Sequence, residues 1–359
     1  MSGLSNEVTM KYTEQYWDDV DRVQKAVPNL ELLFGKNLFI TGATGMICSA
    51  LVDVLLLLNK NRDAGIKLVL AGRSRERMAA RFAGFKEGKD YVFFQYDATK
   101  EADLKVKADY IIHGASNANP SYYVSQPVET MLANFNGLYS LLKMGKEQGT
   151  KRLLYLSSSE VYGNKDNNDP FKEADYGFLD ILNPRACYPS AKRAAETLCA
   201  SFSQEYGLET VIARPGHIYG PTISRSDSRA SAQFTRNAVN HEDIVMKSAG
   251  QQLRSYCYTL DCASALLTIL LNGENANAYN ISNRNSVVTI RQLAEALAKA
   301  AGTQVVFENP TDAEKKGYNL MTNSSLDAEK LEALGWQAEF SLEEGAQRTI
   351  AGLKAEQSL

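Results

Sequence analysis

The chain has 359 residues, 44% of them hydrophobic and 23% charged, which is an ordinary globular composition and excludes disordered, collagenous and fibrous classes. At about 100–200 residues per domain, this length predicts two lobes or one large elaborated domain. The 39 Lys and Arg residues against 42 Asp and Glu residues give a net charge of −3, which provides no general positive field for holding nucleic acid.

The N-terminal part of the chain reads as an extension of the main body. Residues 10–34 show the pattern of an acidic amphipathic helix followed by a turn at Pro28-Asn29, so we expect an N-terminal helical extension over residues 1–35. The first twenty residues contain no apolar core of a secretory signal, and the apolar run 51–58 is too short to span a bilayer. We therefore expect a soluble, cytoplasmic protein with no membrane partner.

The middle of the chain alternates strands and helices. An apolar run at residues 37–40 is followed by a glycine-rich turn and a helical stretch at 46–58. Long helices are predicted at 130–146 and 190–206. Further strands are predicted at residues 67–71, 91–94, 110–112, 153–156 and 210–213. This alternation indicates an α/β fold with a Rossmann-like, doubly wound parallel sheet over residues 36–220.

The C-terminal part is predicted to form a smaller lobe. Residues 221–250 are polar and irregular, and a strand-helix unit then returns to the first domain at about residues 255–282. Two later helices begin at capping boxes, formed by Thr289 with Gln292 and by Ser341 with Glu344. Residues 221–359 therefore read as a mixed α/β substrate-binding lobe, with a cleft between the two lobes.

The glycine turn is the first candidate binding site. It reads Gly42-Ala43-Thr44-Gly45-Met46-Ile47-Cys48 and joins the first strand to the first helix, where glycines let the backbone approach a pyrophosphate. Cys48 replaces the third glycine, which normally permits close packing of the helix on the strand. The surrounding strand-helix-strand pattern favours a dinucleotide site over a turn that binds nothing.

The choice between NAD and NADP depends on the end of the second strand, which reads Ala71-Gly72-Arg73-Ser74-Arg75. It lacks the carboxylate that usually binds the ribose 2′-hydroxyl of NAD, and its arginines favour a 2′-phosphate. The alternative is that Arg73 stacks on adenine or is only solvated. Asp97 is placed to accept a hydrogen bond from the adenine amino group.

Tyr188 and Lys192 are four residues apart, so they lie on one face of a predicted helix. A nearby cation favours the phenolate and lowers the pKa of the tyrosine, which would make Tyr188 a proton shuttle. The strand before this helix ends in the run Ser157-Ser158-Ser159-Glu160, at the sheet edge where open α/β folds bind ligands. A hydroxyl there can share a substrate oxygen with Tyr188, whereas Ser157 is expected to satisfy a turn.

The motifs together resemble the extended short-chain dehydrogenase/reductase superfamily, in its NAD-dependent epimerase/dehydratase family of nucleotide-sugar enzymes. The similarity runs from about residue 36 to the C-terminus through TGATGMI, IIHGAS, SSSEVYG and YPSAK. Within that family, HGASNANPSYY (113–123), SSSEVYG and PRACYPSAKRAAET (184–197) are most similar to UDP-glucuronate decarboxylases. His217 stands where the family usually has an asparagine that steadies the sugar diphosphate.

The motifs and this resemblance together assign roles to individual residues. The expected catalytic residues are Tyr188, Lys192, Ser158, Glu160 and Ser159. The expected cofactor-binding residues are Gly42, Ala43, Thr44, Gly45, Met46, Ile47, Arg73, Asp97, Ala98, Gly114, Ala115, Ser116, Asn134, Lys192 and Pro215. The expected substrate-binding residues are Arg185, His217, Arg229, Gln233 and Arg254. The five scattered cysteines include no CxxC pair, so neither a disulfide framework nor a metal site is expected.

The expected reaction passes through transient oxidation at sugar C4 by bound NAD or NADP. The leading hypothesis is decarboxylation of UDP-glucuronate to UDP-xylose or to its 4-keto intermediate. The alternatives are a 4,6-dehydratase of the GDP-mannose or dTDP-glucose type, a 4-epimerase, and, in another class, a non-catalytic dinucleotide sensor. The family also implies a homodimer formed through the helices at 130–146 and 188–206.

Overall fold

The computed structural model describes residues 8–10, 12–116, 118–224, 227–310 and 321–355. In chain order its strands are β1 Val8–Met10, β2 Asn37–Thr41, β3 Lys67–Gly72, β4 Val92–Gln95, β5 Tyr110–His113, β6 Arg152–Leu156, β7 Glu209–Pro215, β8 His217–Tyr219, β9 Ile244–Met246, β10 Leu253–Tyr258, β11 Asn277–Ile281, β12 Val287–Thr289, β13 Val305–Phe307, β14 Asn323–Ser324 and β15 Leu353–Ala355.

The α-helices are α1 Glu14–Lys25, α2 Met46–Arg62, α3 Arg75–Arg81, α4 Pro120–Ser125, α5 Pro127–Gln148, α6 Cys187–Tyr206, α7 Ala230–Val239, α8 Thr259–Asn272, α9 Ile290–Ala301, α10 Glu329–Glu332 and α11 Leu342–Ala351. Short 3₁₀ helices lie at Leu30–Leu33, Ser159–Tyr162, Pro184–Ala186 and Arg284–Ser286. None of the described helices is long and apolar enough to cross a membrane.

The main sheet confirms the predicted doubly wound architecture. Its seven strands are all parallel and lie in the order β11-β7-β6-β5-β2-β3-β4. Successive side chains of a strand point to opposite faces. Leu38 and Ile40 of β2 therefore join the core beneath α2 and α8, while Phe39 packs with α5 and α6 on the other face. Both faces are buried, which explains the nearly continuous apolar strands.

The N-terminal extension forms the predicted amphipathic helix, α1, which packs on α2 and α8. Its buried face includes Tyr16, whose hydroxyl donates a 2.7 Å hydrogen bond to the fully buried carboxylate of Asp53 in α2. Arg81 pairs with the same carboxylate at 2.6 Å. This polar contact inside an apolar interface fixes the position of α1 on the dinucleotide-binding half. Residues 1–7 of the predicted extension lie outside the described residues.

The second lobe is built around β10, which pairs with β8, β12 and β14. Both predicted capping boxes are present, at the starts of α9 and α11. The expectation of an irregular segment at residues 221–250 is wrong, because it contains α7 and β9. Helix α7 begins without a capping side chain and its sequence is largely polar, so its only sequence signal was the short buried face formed by Ala232, Phe234, Thr235 and Ala238.

Candidate active site

The glycine turn has a shape that suits a dinucleotide. Gly42 has a φ of +67°, and a Cβ on it would lie 2.8 Å from the backbone of Gly114 and Ala115. Gly45 caps α2 without any side-chain hydrogen bond to the first helical N–H groups. A long helix with uncapped N–H groups at a glycine turn is a favourable site for a phosphate. The residues present therefore fit the diphosphate of NAD or NADP.

The cysteine in place of the third glycine is accommodated by a second glycine. Cys48 is buried, and a Cβ built on Gly114 at the end of β5 would overlap the Cys48 Sγ atom. Helix α2 can thus pack closely on the sheet, because the absence of a side chain at Gly114 leaves room for the Cys48 side chain. Burial raises the pKa of the Cys48 thiol to about 12, so it is an inert packing group.

The adenosine end of the predicted site lies at the carboxyl ends of β3 and β4. Arg73 is exposed there. Asp97 accepts hydrogen bonds from the backbone N–H of Thr99 at 3.1 Å and from its hydroxyl at 2.8 Å. Burial acts to raise the pKa of Asp97, but these hydrogen bonds and the charge of Arg73 outweigh it and lower the pKa. The carboxylate is therefore ionised and available as an acceptor.

Two further predicted cofactor residues are tied to α5. Asn134 is buried, and its side-chain oxygen accepts a 2.9 Å hydrogen bond from the Ser116 hydroxyl. Ala98 packs against Gly137 of α5, where a Cβ would come within 2.9 Å of Ala98. These contacts fix the loops that follow β4 and β5 on the rim of the glycine turn.

Tyr188 lies in the pocket with two hydroxyl partners. It forms side-chain hydrogen bonds with Ser158 and Tyr123, and its ring stacks on that of Tyr123 with centroids 4.6 Å apart. Burial and the charge of Glu160 raise the pKa of Tyr188, and the two hydrogen bonds only partly offset them. The expectation that Lys192 makes this phenol acidic is therefore wrong for the protein without its cofactor.

Lys192 is buried one helical turn after Tyr188 but is directed at the backbone. Its Nζ donates a 2.6 Å hydrogen bond to the Leu156 carbonyl and lies 5.6 Å from the centroid of the Tyr188 ring. Burial lowers the pKa of Lys192 to about 7. The hydrogen bond that Nζ makes therefore goes to the end of β6 and not to the Tyr188 hydroxyl.

Ser157 has a structural role, but not the expected one of satisfying its own turn. Its hydroxyl donates a 2.5 Å hydrogen bond to Glu196, which is held by Arg214 through two hydrogen bonds of 3.0 and 2.6 Å. The Ser157 hydroxyl thus links the end of β6 to α6 and does not bond within its own turn.

Glu160 and Arg185 form an ion pair beside Tyr188. Glu160 Oε2 lies 3.3 Å from Arg185 Nη1, and the guanidinium lies over the Tyr123 ring, 4.7 Å from its centroid. Burial raises the pKa of Glu160, while the charges of Arg185 and Arg254 act to lower it. The result is a carboxyl that can hold a proton more readily than a solvated glutamate does.

A cavity of about 140 Å³ lies between the glycine turn and the second lobe. Its lining brings together eleven of the predicted residues: Ile47, Gly114, Ser116, Ser158, Ser159, Glu160, Tyr188, Lys192, Pro215, His217 and Arg229. The volume is well below the ~300–1,000 Å³ of most ligand pockets. A whole nucleotide sugar therefore extends beyond this cavity unless the lining side chains move.

Arg229 crosses this cleft. It is held by Asp227 at 2.6 Å, donates to the Ile218 carbonyl at 3.3 Å, and lies 2.9 Å from the Met46 sulfur at the start of α2. Sequence reasoning missed Asp227 and Tyr123. In the sequence, Asp227 is marked only by its position two residues before Arg229, and Tyr123 only by its position in the HGASNANPSYY run.

The remaining predicted substrate residues differ in placement. Arg254 is buried, and its Nη2 donates a 2.8 Å hydrogen bond to the Met321 carbonyl behind the cavity. His217 lines the cavity, and burial with the charges of Arg254 and Arg229 lowers its pKa to about 3. Gln233 is exposed on the first turn of α7 and does not line the cavity, so the geometry gives no support to its assignment.

Comparison with known proteins identifies the family of the chain. The profile of the NAD dependent epimerase/dehydratase family matches residues 38–282. UDP-glucuronic acid decarboxylase 5 of Arabidopsis thaliana is 30% identical over 312 residues, covering 86% of each chain. UDP-glucuronic acid decarboxylase 1 of Xenopus tropicalis is 29% identical over 318 residues, which are 88% of this chain and 71% of the relative.

Solved structures share the fold. UDP-glucose 4-epimerase of Thermotoga maritima, in complex with UDP-glucose, has a TM-score of 0.73 at 24% identity, covering 88% of this chain and 97% of that one. dTDP-glucose 4,6-dehydratase of Bacillus anthracis, in complex with NAD, has a TM-score of 0.72 at 19% identity, covering 88% and 96%. The architecture is thus common to proteins that catalyse different reactions.

Proposed function

Because this chain belongs to the NAD-dependent epimerase/dehydratase family, we propose that it decarboxylates UDP-glucuronate, giving UDP-xylose or its 4-keto intermediate. The observation that carries the proposal is the Glu160–Arg185 pair beside Tyr188 and Ser158 in one cavity. A guanidinium there matches a sugar carboxylate, which a neutral hexose lacks. The relatives named as UDP-glucuronic acid decarboxylases support the same choice.

NAD or NADP held at the glycine turn would supply the acceptor and donor of hydride at sugar C4. The chain's own part begins with Tyr188, which takes the proton of the C4 hydroxyl. Its phenolate is stabilised by hydrogen bonds from Ser158 and Tyr123. The Ser158 hydroxyl donates a second hydrogen bond to the C4 oxygen, so that negative charge developing on this oxygen is stabilised throughout the reaction.

The C6 carboxylate of a 4-ketone is that of a β-keto acid. When the bond between C5 and C6 breaks, carbon dioxide leaves and the electron pair moves to the C4 oxygen as an enolate, which the hydroxyls of Tyr188 and Ser158 stabilise. We assign to Arg185 the orientation of the carboxylate before it leaves. Glu160, with its pKa raised by burial, is the acid that returns a proton to C5.

We further propose that the protein is a homodimer. Helix α5 carries an exposed apolar stripe at Val128, Met131, Leu132, Phe135 and Tyr139. The spacing of three or four residues places these side chains on one helical face, where a second copy would remove them from water. Light scattering should give twice the chain mass, and Phe135→Asp should give the monomer. A monomeric wild-type protein would contradict the proposal.

The reaction is tested by supplying UDP-glucuronate, GDP-mannose and dTDP-glucose separately and identifying the products by NMR. The proposal predicts loss of C6 from UDP-glucuronate and incorporation of deuterium at C5 in D₂O. A 4-keto-6-deoxy product from either neutral sugar would instead assign dehydratase chemistry. Inversion at C4 alone would assign an epimerase, and absence of turnover with all three would favour a dinucleotide sensor.

A further inference from the structure

His217 is a polar group in the cavity with one ring nitrogen that has no partner among the described residues. Its Nδ1 is buried and makes no hydrogen bond within the part of the chain that the structure describes. The ring lines the cavity and packs edge-on against Tyr256, with centroids 5.7 Å apart. A buried polar atom without a partner is unfavourable in the empty protein, and a ligand atom can relieve it.

Charged and titratable groups face His217 from both sides of the cavity. Tyr256 is its partner across the β8–β10 ladder, and Arg254 precedes that residue on β10. Arg229 reaches the cavity from the segment before α7. Tyr188, Lys192 and Glu160 form the opposite wall. Two arginines thus act on the imidazole from its own side of the cleft.

We propose that His217 takes up a proton when the diphosphate of a nucleotide substrate enters the cavity, so that the imidazolium becomes a third cation beside Arg229 and Arg254. This inference rests on the proposed nucleotide-sugar substrate and adds to it a linkage between binding and protonation. An uncharged amide at this position could hydrogen-bond to the ligand but could not change its charge.

The sign of the effect follows from the charges. Burial and the two arginines hold the pKa of His217 at about 3 in the free protein, so it is neutral near neutral pH. A phosphate bound beside Arg229, which lines the cavity, offsets the repulsion from the two arginines and attracts the imidazolium. A unit negative charge about 4 Å away, at an effective dielectric constant of about 20, raises an imidazole pKa by about three. Bound His217 should therefore titrate near neutral pH.

The chain contains three histidines, which makes a direct measurement practicable. The protein would carry ¹³C at histidine Cε1 and the substitution Tyr188→Phe, so that bound UDP-glucose stays chemically unchanged. At about pH 6, the His217 signal should have the neutral shift without ligand and move toward the imidazolium shift with UDP-glucose. UDP-glucose suits the test because its diphosphate keeps a constant charge in this range.

His113 serves as a matched control. It is also buried, its pKa is also lowered to about 3 by burial and by the charge of Lys192, and its Nδ1 pairs with the Thr41 hydroxyl at 2.7 Å. It does not line the cavity, so its signal should stay neutral on binding. The signal that disappears in His217→Asn is that of His217, and the same substitution should remove the proton uptake.

Calorimetry in two buffers of different ionisation enthalpy provides the second readout. Wild-type affinity for UDP-glucose should rise as the pH falls from about 7 to about 5.5, with net proton uptake, and His217→Asn should show neither. Binding without uptake, or uptake that persists in His217→Asn, would overturn the inference and leave the proposed function intact. Absence of binding by UDP-glucuronate, as well as by UDP-glucose, GDP-mannose and dTDP-glucose, would overturn the proposed function itself.

Discussion

Glu160 and Arg185 are paired at the cavity, with Oε2 3.3 Å from Nη1, although the two residues stand 25 positions apart in the chain. One comes from the 3₁₀ helix that follows β6 and the other from the 3₁₀ helix that precedes α6. The pairing puts an acid that can hold a proton next to a cation that matches a carboxylate. Both groups are what a decarboxylating site needs beside its proton shuttle.

Arg185→Gln should reduce release of carbon dioxide from UDP-glucuronate by about 100-fold or more, because a cation that positions the leaving carboxylate is lost. Arg185→Lys should be intermediate, since lysine offers a point charge without the guanidinium fork. Initial rates at saturating substrate are the measurement. Arg284→Gln, at an exposed ion pair with Glu332, is the control and should keep wild-type rates. Turnover of Arg185→Gln within about twofold of wild type would remove Arg185 from the mechanism.

Tyr188→Phe should lower kcat by about 10²–10⁴-fold, because the group that exchanges the C4 hydroxyl proton is gone. Dinucleotide affinity, measured by calorimetry, should change little, since the diphosphate is expected at the glycine turn. Tyr206→Phe at the exposed end of the same helix is the matched control and should turn over normally. Normal turnover by Tyr188→Phe would contradict the assigned role.

Gly114→Ala should weaken or abolish dinucleotide binding and lower the melting temperature, because its Cβ would overlap the Cys48 sulfur beneath the glycine turn. Cys48→Gly in the same chain should recover much of both losses, since it restores the missing space. Gly149→Ala, at an open position at the end of α5 but with a φ of +69°, controls for glycine replacement as such. Equal losses in the single and double variants would show that the two positions are not coupled.

Arg73→Ala should weaken NADP binding by about tenfold and leave NAD binding nearly unchanged, because a surface guanidinium contributes mainly to a 2′-phosphate. Arg77→Ala, on the exposed side of α3, is the neighbouring control. Fluorescence titration of the apoprotein with each dinucleotide measures the effect. Equal affinities of the wild-type protein for both dinucleotides, unchanged in Arg73→Ala, would show that Arg73 is only solvated.

The dinucleotide-binding half could be predicted from sequence because its signals are local. A buried parallel strand is apolar along its length, and the glycine turn follows such a strand directly, so β2 and α2 were legible without tertiary information. Helix α7 could not be predicted in this way, since its buried face is short and no capping residue marks its start. Stability there comes from packing on α9, which composition does not reveal.

The sequence predicted many of the residues that line the cavity, but it predicted neither Tyr123 and Asp227 nor the electrostatics. The spacing of Tyr188 and Lys192 places them on one helix face, yet it says nothing of the Leu156 carbonyl that holds the ammonium. Burial and Glu160 then raise the tyrosine pKa that the spacing alone led us to expect lowered. The Tyr123–Tyr188 stack joins residues 65 positions apart, and the Arg229–Met46 contact joins the two lobes, so neither leaves a local pattern in the sequence.

We propose that this cavity removes C6 from a sugar acid through a transient C4 ketone. The direct measurement is NMR of the purified protein, with its dinucleotide, acting on UDP-glucuronate labelled with ¹³C at C6. One labelled carbon dioxide should be released for each sugar nucleotide consumed, and Tyr188→Phe should release it at least about 100-fold more slowly. Retention of the label at C6 in every product, or equal release by Tyr188→Phe, would contradict it.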